Sequence, residues 1–223
     1  MEPEFWHERW QQEQIGFHEA TVNVHLRRFW PEVLSGLDVP RNENRVFLPL
    51  CGKANDLAWL RERGHGVVGV ELSPIACHDF FAERALDPKI KEKQTFTRRS
   101  HDGIDLLCGD FFDLNPADLG PVALVYDRAA LIALPEDMRQ AYVEQLIRLT
   151  PEARRILLIT LAYPEQEAFS GPPFSVPDEE VRMHFAATHS IRQLDHQSIP
   201  EDDPLVARGL RAGTESVFLL ERR

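Results

Sequence analysis

Between residues 45 and 163, short apolar runs alternate with stretches whose apolar positions recur every three to four residues. Residues 45–50 (RVFLPL) read as a strand, and residues 55–63 follow as a helix, with Asn55 as its cap and Gly64 as its stop. Residues 66–72 form a second, nearly all-apolar strand. Ser73-Pro74 then opens a helix, serine capping and proline in the first helical position, that runs on through Phe80, Phe81 and Ala85. Residues 95–99 and 104–108 flank Asp102-Gly103, a hairpin signal, and the second run is a candidate third central strand. Residues 122–126 and 156–161 are further buried strands; between them, residues 135–149 carry Met138, Tyr142, Leu146 and Leu149 at helical spacing. Continuous apolar strands separated by helices predict an open α/β fold: a parallel sheet covered on both faces and built from right-handed crossovers.

The flanks break this alternation. The first 35 residues, rich in Trp6, Trp10, Phe17, Phe29 and Trp30, read as a helical extension that needs a surface to cover. After Tyr163-Pro164 comes a stiff loop, residues 169–177 (FSGPPFSVP), then a helix over 178–187 and two closing strands, 190–194 and 216–220, expected as an antiparallel edge pair. With 223 residues and no flexible linker, one domain is expected over 1–223. Its parts would be a helical cover (1–40), a central sheet (45–163), and a loop with closing strands (164–223).

Composition narrows the partners. Asp and Glu outnumber Lys and Arg by 36 to 25, a formal charge of −11, and the basic pairs Arg27-Arg28, Arg98-Arg99 and Arg154-Arg155 are isolated. Such a chain repels polyanions, so neither nucleic acid nor an anionic membrane is expected. The acidic, aromatic start is unlike a signal peptide and no apolar run is long enough to span a bilayer, so a cytoplasmic location is expected. Cys51, Cys77 and Cys108 offer no CxxC pair or zinc-ligand spacing; they read as buried small residues, and no metal is expected.

In open α/β sheets, ligands bind beyond the carboxyl ends of the strands. The first strand ends in Leu48-Pro-Leu-Cys-Gly-Lys53, with one glycine and no phosphate-cradling loop, a poor bed for a pyrophosphate. Glu71 ends the second strand, 19 residues past Gly52, where such folds place an acid against ribose hydroxyls. Its alternative role is as a dipole partner for the helix that starts at Ser73. An acid without a phosphate loop suits a nucleoside cofactor such as S-adenosylmethionine. The third strand ends in Cys108-Gly-Asp-Phe-Phe112, where an acid and aromatic rings could meet an adenine, or where the two phenylalanines are core. The fourth ends in Tyr126-Asp-Arg128, a charged pair for ligand contact or a salt bridge between neighbours.

Four segments, Phe47-Leu-Pro-Leu-Cys-Gly-Lys53, Gly64-His-Gly-Val-Val-Gly-Val-Glu71, Tyr126-Asp-Arg-Ala-Ala-Leu131 and Gly171-Pro-Pro-Phe-Ser-Val-Pro177, occur in an order that resembles the thiopurine S-methyltransferase family, from about Trp6 to the carboxyl terminus. The resemblance implies the class I S-adenosylmethionine-dependent methyltransferase fold: a Rossmann-like, seven-stranded, mostly parallel sheet with helices on both faces and an amino-terminal helical cover. It also implies methyl transfer from S-adenosylmethionine to the sulfur of aromatic or heterocyclic thiols. Trp10, Leu50, Glu71, Gly109 and Asp110 match cofactor-contacting positions of the family, Phe17 a substrate-covering one, and Arg128 a residue close to both cofactor and substrate. Arg208 is preferred to Arg211 as a second substrate arginine. The family pattern has glycine after the fourth-strand arginine, where this chain has Ala129.

Transfer from a sulfonium to a thiolate dissipates charge, so alignment and exclusion of water are the main demands, with Arg128 favouring the thiolate. A dedicated base is not required. His18 reads as exposed or capping, and Cys51 as packing rather than as a nucleophile. Two alternatives stay open: methylation of inorganic selenium or tellurium species or another small nucleophile, and, more remotely, an NAD-binding oxidoreductase or a non-catalytic Rossmann-like module. A monomer is the default.

Overall fold

The computed structural model describes residues 3–38, 44–164, 169 and 171–223. Met1, Glu2 and residues 39–40 of the expected cover, with residues 165–168 and Ser170 of the expected loop region, lie outside the described residues. In chain order the elements are α1 (Pro3–Gln11), α2 (Val24–Leu34), β1 (Arg45–Leu48), α3 (Asn55–Glu62), β2 (Gly66–Glu71) and α4 (Pro74–Ala82). Next come β3 (Lys89–Glu92), β4 (Phe96–His101), β5 (Ile104–Gly109), α5 (Pro116–Leu119), β6 (Leu124–Arg128), α6 (Glu136–Leu149) and β7 (Arg155–Ala162). The last are α7 (Asp178–Phe185), β8 (His189–Ser198), α8 (Pro204–Ala207) and β9 (Thr214–Arg222).

The strands form a nine-stranded sheet in the order β3-β4-β5-β2-β1-β6-β7-β9-β8. The five central strands, β5 to β7, run parallel, and β9 pairs antiparallel with both β7 and β8. These are the seven strands that the family resemblance implies. The other edge carries β4, the first arm of the expected hairpin through Asp102-Gly103, and beyond it β3, both antiparallel. The sequence Lys-Ile-Lys-Glu of β3 has no apolar run because all four residues are exposed, and its charges suit an open sheet edge.

Strand alternation divides the core in two. On one face, Leu26 and Trp30 of α2, Leu57 and Leu60 of α3, and Phe80 of α4 pack on Val46, Leu48, Val67 and Leu106. On the other, Tyr142 and Leu146 of α6 and Phe185 of α7 pack on Phe47, Val68, Val70 and Leu107. The amino-terminal aromatics therefore separate: Phe29 and Trp30 are core, while Trp6 and Trp10 face a cavity. Trp30 Nε1 donates to His65 Nε2 at 3.0 Å and His65 Nδ1 lies 2.6 Å from Asn44 Oδ1, which assigns the ring proton to Nδ1.

Several expected boundaries move. Pro49 and a left-handed Leu50 (φ 45°) end β1 at Leu48. Ala54, not Asn55, caps α3; the Asn55 amide instead donates to the Glu19 carbonyl at 3.1 Å. Helix α4 stops at Ala82, and Ala85 is left-handed (φ 51°). Helix α7 stops at Phe185. Strand β6 begins at Leu124 rather than Val122 and runs through Asp127 and Arg128, since both stay in ladder register with β7.

Candidate active site

The carboxyl ends of β1, β2, β6 and β7 and the residue after β5 open on one cavity of about 940 Å³. Helix α1 and the segment after it form its roof, in which Trp6 and Trp10 meet Phe17 edge-on, with ring centroids 5.8 and 5.6 Å away. The roof touches the β1 turn closely: a Cβ on Gly52 (φ 53°) would lie 3.2 Å from the Trp10 ring, so only glycine fits that turn without displacing the indole. Cys51 is packed beneath, its Sγ 2.5 Å from where a Cβ on Gly69 would stand, and burial pushes its thiol well above the usual range. That chemistry is inert, as close packing predicts.

Glu71 is buried at the end of β2 and lines the cavity. One carboxylate oxygen accepts from Gly52 N–H at 2.8 Å and the other from Ser73 N–H at 2.7 Å. The second bond is the helix-start role; the first ties the acid to the β1 turn. Burial raises its pKa against the opposing pull of those N–H groups. Each oxygen keeps acceptor capacity for a ligand. A vicinal diol fits that acceptor pair, and the neighbouring turn offers no phosphate nest.

Asp127 and Arg128 point to opposite faces, so they form no pair with each other. Asp127 is fully buried, accepting from Tyr142 Oη at 2.7 Å and Leu131 N–H at 3.2 Å, and burial raises its pKa to about 6. It anchors the turn after β6 from behind the sheet. Arg128 lines the cavity, donates to the Phe17 carbonyl at 3.0 Å and pairs with Glu19. The same latch continues through Asn23, whose amide donates to Glu19 at 3.3 Å and whose N–H donates to Asp56 at 2.9 Å. Ala129 after it is left-handed (φ 58°), a conformation that costs alanine more than glycine. Half-buried His18 also lines the cavity; burial, then the nearby Lys53 charge, lowers its pKa.

The far wall is apolar, with Ile132, Leu161, Pro172, Pro173, Ile199 and Leu205, and carries Arg208 and Glu215. Arg208 donates to the Pro172 carbonyl at 2.9 Å and lies over the Phe169 ring at 5.2 Å. Gly171 (φ 79°) admits no side chain, since a Cβ would sit 2.6 Å from Phe174.

The profile of the thiopurine S-methyltransferase (TPMT) family matches residues 1–223. The chain belongs to the thiopurine S-methyltransferase family. Among curated members, thiopurine S-methyltransferase of Marinobacter nauticus is 49% identical over 226 residues, covering all of both chains. That of Methylococcus capsulatus is 46% identical over 222 residues, covering 99% of this chain and 97% of its own length. Among solved structures, magnesium protoporphyrin IX methyltransferase (ChlM) from Synechocystis with bound SAM aligns with a TM-score of 0.62 at 14% identity, covering 99% of this chain and 97% of that one. The 1,6-didemethyltoxoflavin-N1-methyltransferase of Burkholderia thailandensis, with S-adenosylhomocysteine bound, aligns at 0.60 and 15% identity, covering 99% of this chain and 86% of that one. The fold is that of S-adenosylmethionine-dependent methyltransferases.

Of the residues singled out by the family resemblance, Trp10, Phe17, Leu50, Glu71, Asp110, Arg128 and Arg208 line the one cavity. Gly109 does not: its backbone is pressed against Thr95 and Phe96, where a Cβ would lie 2.6 Å from a carbonyl oxygen. Arg211 also stands outside the cavity wall, its guanidinium on the Val206 and Leu210 carbonyls at 3.1 and 2.8 Å. Phe111 is core and Phe112 is exposed, yet both border the cavity. Sequence reasoning missed Glu19, Asp56, Tyr126 as a lining residue, and Glu215. Glu19 adjoins the Gly-Phe-His segment and was within reach of a pattern argument; Glu215 reaches the site only because β9 inserts between β7 and β8.

Proposed function

We propose that the protein transfers a methyl group from S-adenosylmethionine to the sulfur of small aromatic or heterocyclic thiols, thiopurines among them, by direct in-line displacement. The observation that carries this reading is the arrangement of one cavity: a buried strand-end acid with spare acceptor capacity, Glu71, and a cation, Arg128, under an aromatic roof. Family membership along the whole chain supports the same chemistry. When bound, S-adenosylmethionine supplies an electrophilic methyl group on a positively charged sulfur.

The chain's own residues would hold, align and dry the reactants. Glu71 takes the ribose hydroxyls; Leu50 and Trp10 flank the cofactor, with Asp110 at the adenine end. Two of the five Arg128 N–H donors are spent on the roof, leaving the others for an anionic sulfur or a ring nitrogen. Its permanent charge favours the thiolate of substrates that ionise. Trp6, Trp10 and Phe17 exclude water from the reacting atoms, and Arg208 belongs to the apolar far wall that receives the substrate ring. A cavity of 940 Å³ with aromatic and aliphatic walls suits an organic ring better than a small inorganic oxyanion.

The finer organisation belongs to the same proposal: a single domain over 1–223, acting as a cytoplasmic monomer on a small molecule rather than on nucleic acid. The net charge of −11 supports the exclusion of nucleic acid. Among the described residues no helix is long and apolar enough to cross a membrane. The test pairs thermal shift with turnover. S-adenosylhomocysteine should raise Tm and NAD should not. A panel of thiopurines, thiophenols, selenols, phenols and amines should show methylation at sulfur; stabilisation by NAD alone, or no S-methylated product, ends the reading.

A further inference from the structure

We propose that Glu215, held by His25, determines specificity in the thiol pocket by accepting the ring N–H of heterocyclic thioamides, the thione form of heteroaromatic thiols. The proposal rests on the methyl-transfer reading above and names the substrate class within it.

Glu215 lies on β9, in register with Leu161 on one side and Gln197 on the other, and its partly exposed side chain lines the cavity. Its Oε2 is 2.5 Å from His25 Nε2. His25 is only 3% exposed, and its Nδ1 is buried with no hydrogen-bond partner. An imidazole nitrogen that close to a carboxylate carries the proton and donates it, and the Gln197 amide lies 3.3 Å from the same nitrogen. Leaving Nδ1 buried without a partner costs stability, and an apolar residue beside Phe29 would avoid the cost. What the histidine secures is the position of the Glu215 carboxylate. No described side chain donates a hydrogen bond to its other oxygen.

The sheet sets the distance to Arg128. Arg128 is in register with Ile159, and Ile159 with Val217, two residues from Glu215 on the same face. Glu215 and Arg128 thus face one side of the sheet, two strands apart and offset by two residues along the strand, so their backbones stand about 12 Å apart. Ile159 and Leu161 line the cavity between them. Across that gap, a thioamide can turn its sulfur toward Arg128 and its adjacent ring N–H toward Glu215. The other acids nearby are differently engaged: Asp203 caps α8 through Leu205 N–H at 2.8 Å, and Asp137 lies in the first turn of α6.

In a thione the proton sits on ring nitrogen and must leave when sulfur is alkylated. A carboxylate accepting that N–H draws electron density onto sulfur before reaction. As the new S–CH3 bond forms, the sulfonium C–S bond breaks with its electron pair left on the departing sulfur. The N–H proton passes to Glu215, which is 29% exposed and returns it to water. A thiol with no ring N–H gains nothing from this acceptor.

Glu215→Gln keeps the shape and weakens the acceptor. Its kcat/KM should fall about tenfold or more on 6-mercaptopurine and pyridine-2-thione, while thiophenol changes by less than about threefold. Equal losses on all three, or no loss on the thiones, overturns the proposal. A second measurement uses the unmodified protein with S-adenosylhomocysteine: N-methylpyridine-2-thione, whose N–H is blocked, should bind about tenfold more weakly than pyridine-2-thione in calorimetry. Equal affinities would also overturn it. Loss of wild-type activity on every thiol would sink the methyl-transfer reading instead, and the binding comparison would still decide the role of Glu215.

Discussion

Glu71 shows how one side chain serves structure and ligand at once. Its two oxygens hold Gly52 and Ser73, so the β1 turn and the start of α4 are fixed to the acid that faces the cavity. Glu71→Ala should weaken S-adenosylhomocysteine binding by about 1–3 kcal/mol, through loss of charge-assisted bonds to the ribose. Titration calorimetry measures it, and an unchanged Kd removes the ribose role. This residue was legible because an acid closing an apolar strand beside a loop without a phosphate cradle suits a ribose, and its alternative role at the start of α4 is realised too. Its neighbours at β6 were legible only in part. Asp127 and Arg128 are adjacent in sequence, but strand alternation sends one to Tyr142 behind the sheet and the other to Glu19 and Phe17 above it. Ala129 adds a local strain that composition does not reveal, because its left-handed backbone is set by the turn that Asp127 anchors.

At the scale of elements, the amino-terminal segment is two objects. Helix α2 buries Leu26, Phe29, Trp30 and Val33 in the core, capped by Asn23, whose side chain accepts from the His25 and Leu26 N–H groups. Helix α1 and the segment to Glu19 make the roof and are fastened through Arg128 and Asn55. Deleting residues 1–20 should therefore abolish methyl transfer while leaving a cooperatively melting protein, since α2 and its cap remain. Full activity of that truncate would remove the roof from the mechanism, and loss of cooperative melting would show that α1 is part of the core. Hydrophobic pattern alone could not separate the two, because aromatic residues at helical spacing look the same over a core and over a ligand.

The whole molecule responds to pH through groups on both sides of the sheet. His65 and His189 have pKa values lowered by burial, the latter to about 4, so their stabilisation is complete above their unfolded value of 6.5 and is lost as pH falls below it. Asp127 acts in reverse: raised to about 6, it contributes most below its unfolded value of 3.8 and loses that contribution as pH rises through 6. In Tm profiles from pH 7 to pH 4, His189→Gln should flatten the fall on acidification and Asp127→Asn should steepen it; parallel curves would refute the assignment. What the sequence by itself determined is the alternation of strands and helices, the acid and cation at the strand ends, and the loop unfit for phosphate. Each follows from local periodicity or from a neighbour a few residues away. Only the tertiary structure decided the nine-strand order, the choice of Arg208 over Arg211 at the cavity wall, and the meeting of His25 with Glu215. Those depend on pairing strands far apart in sequence, where register and twist, which no local pattern encodes, set which side chains share a face.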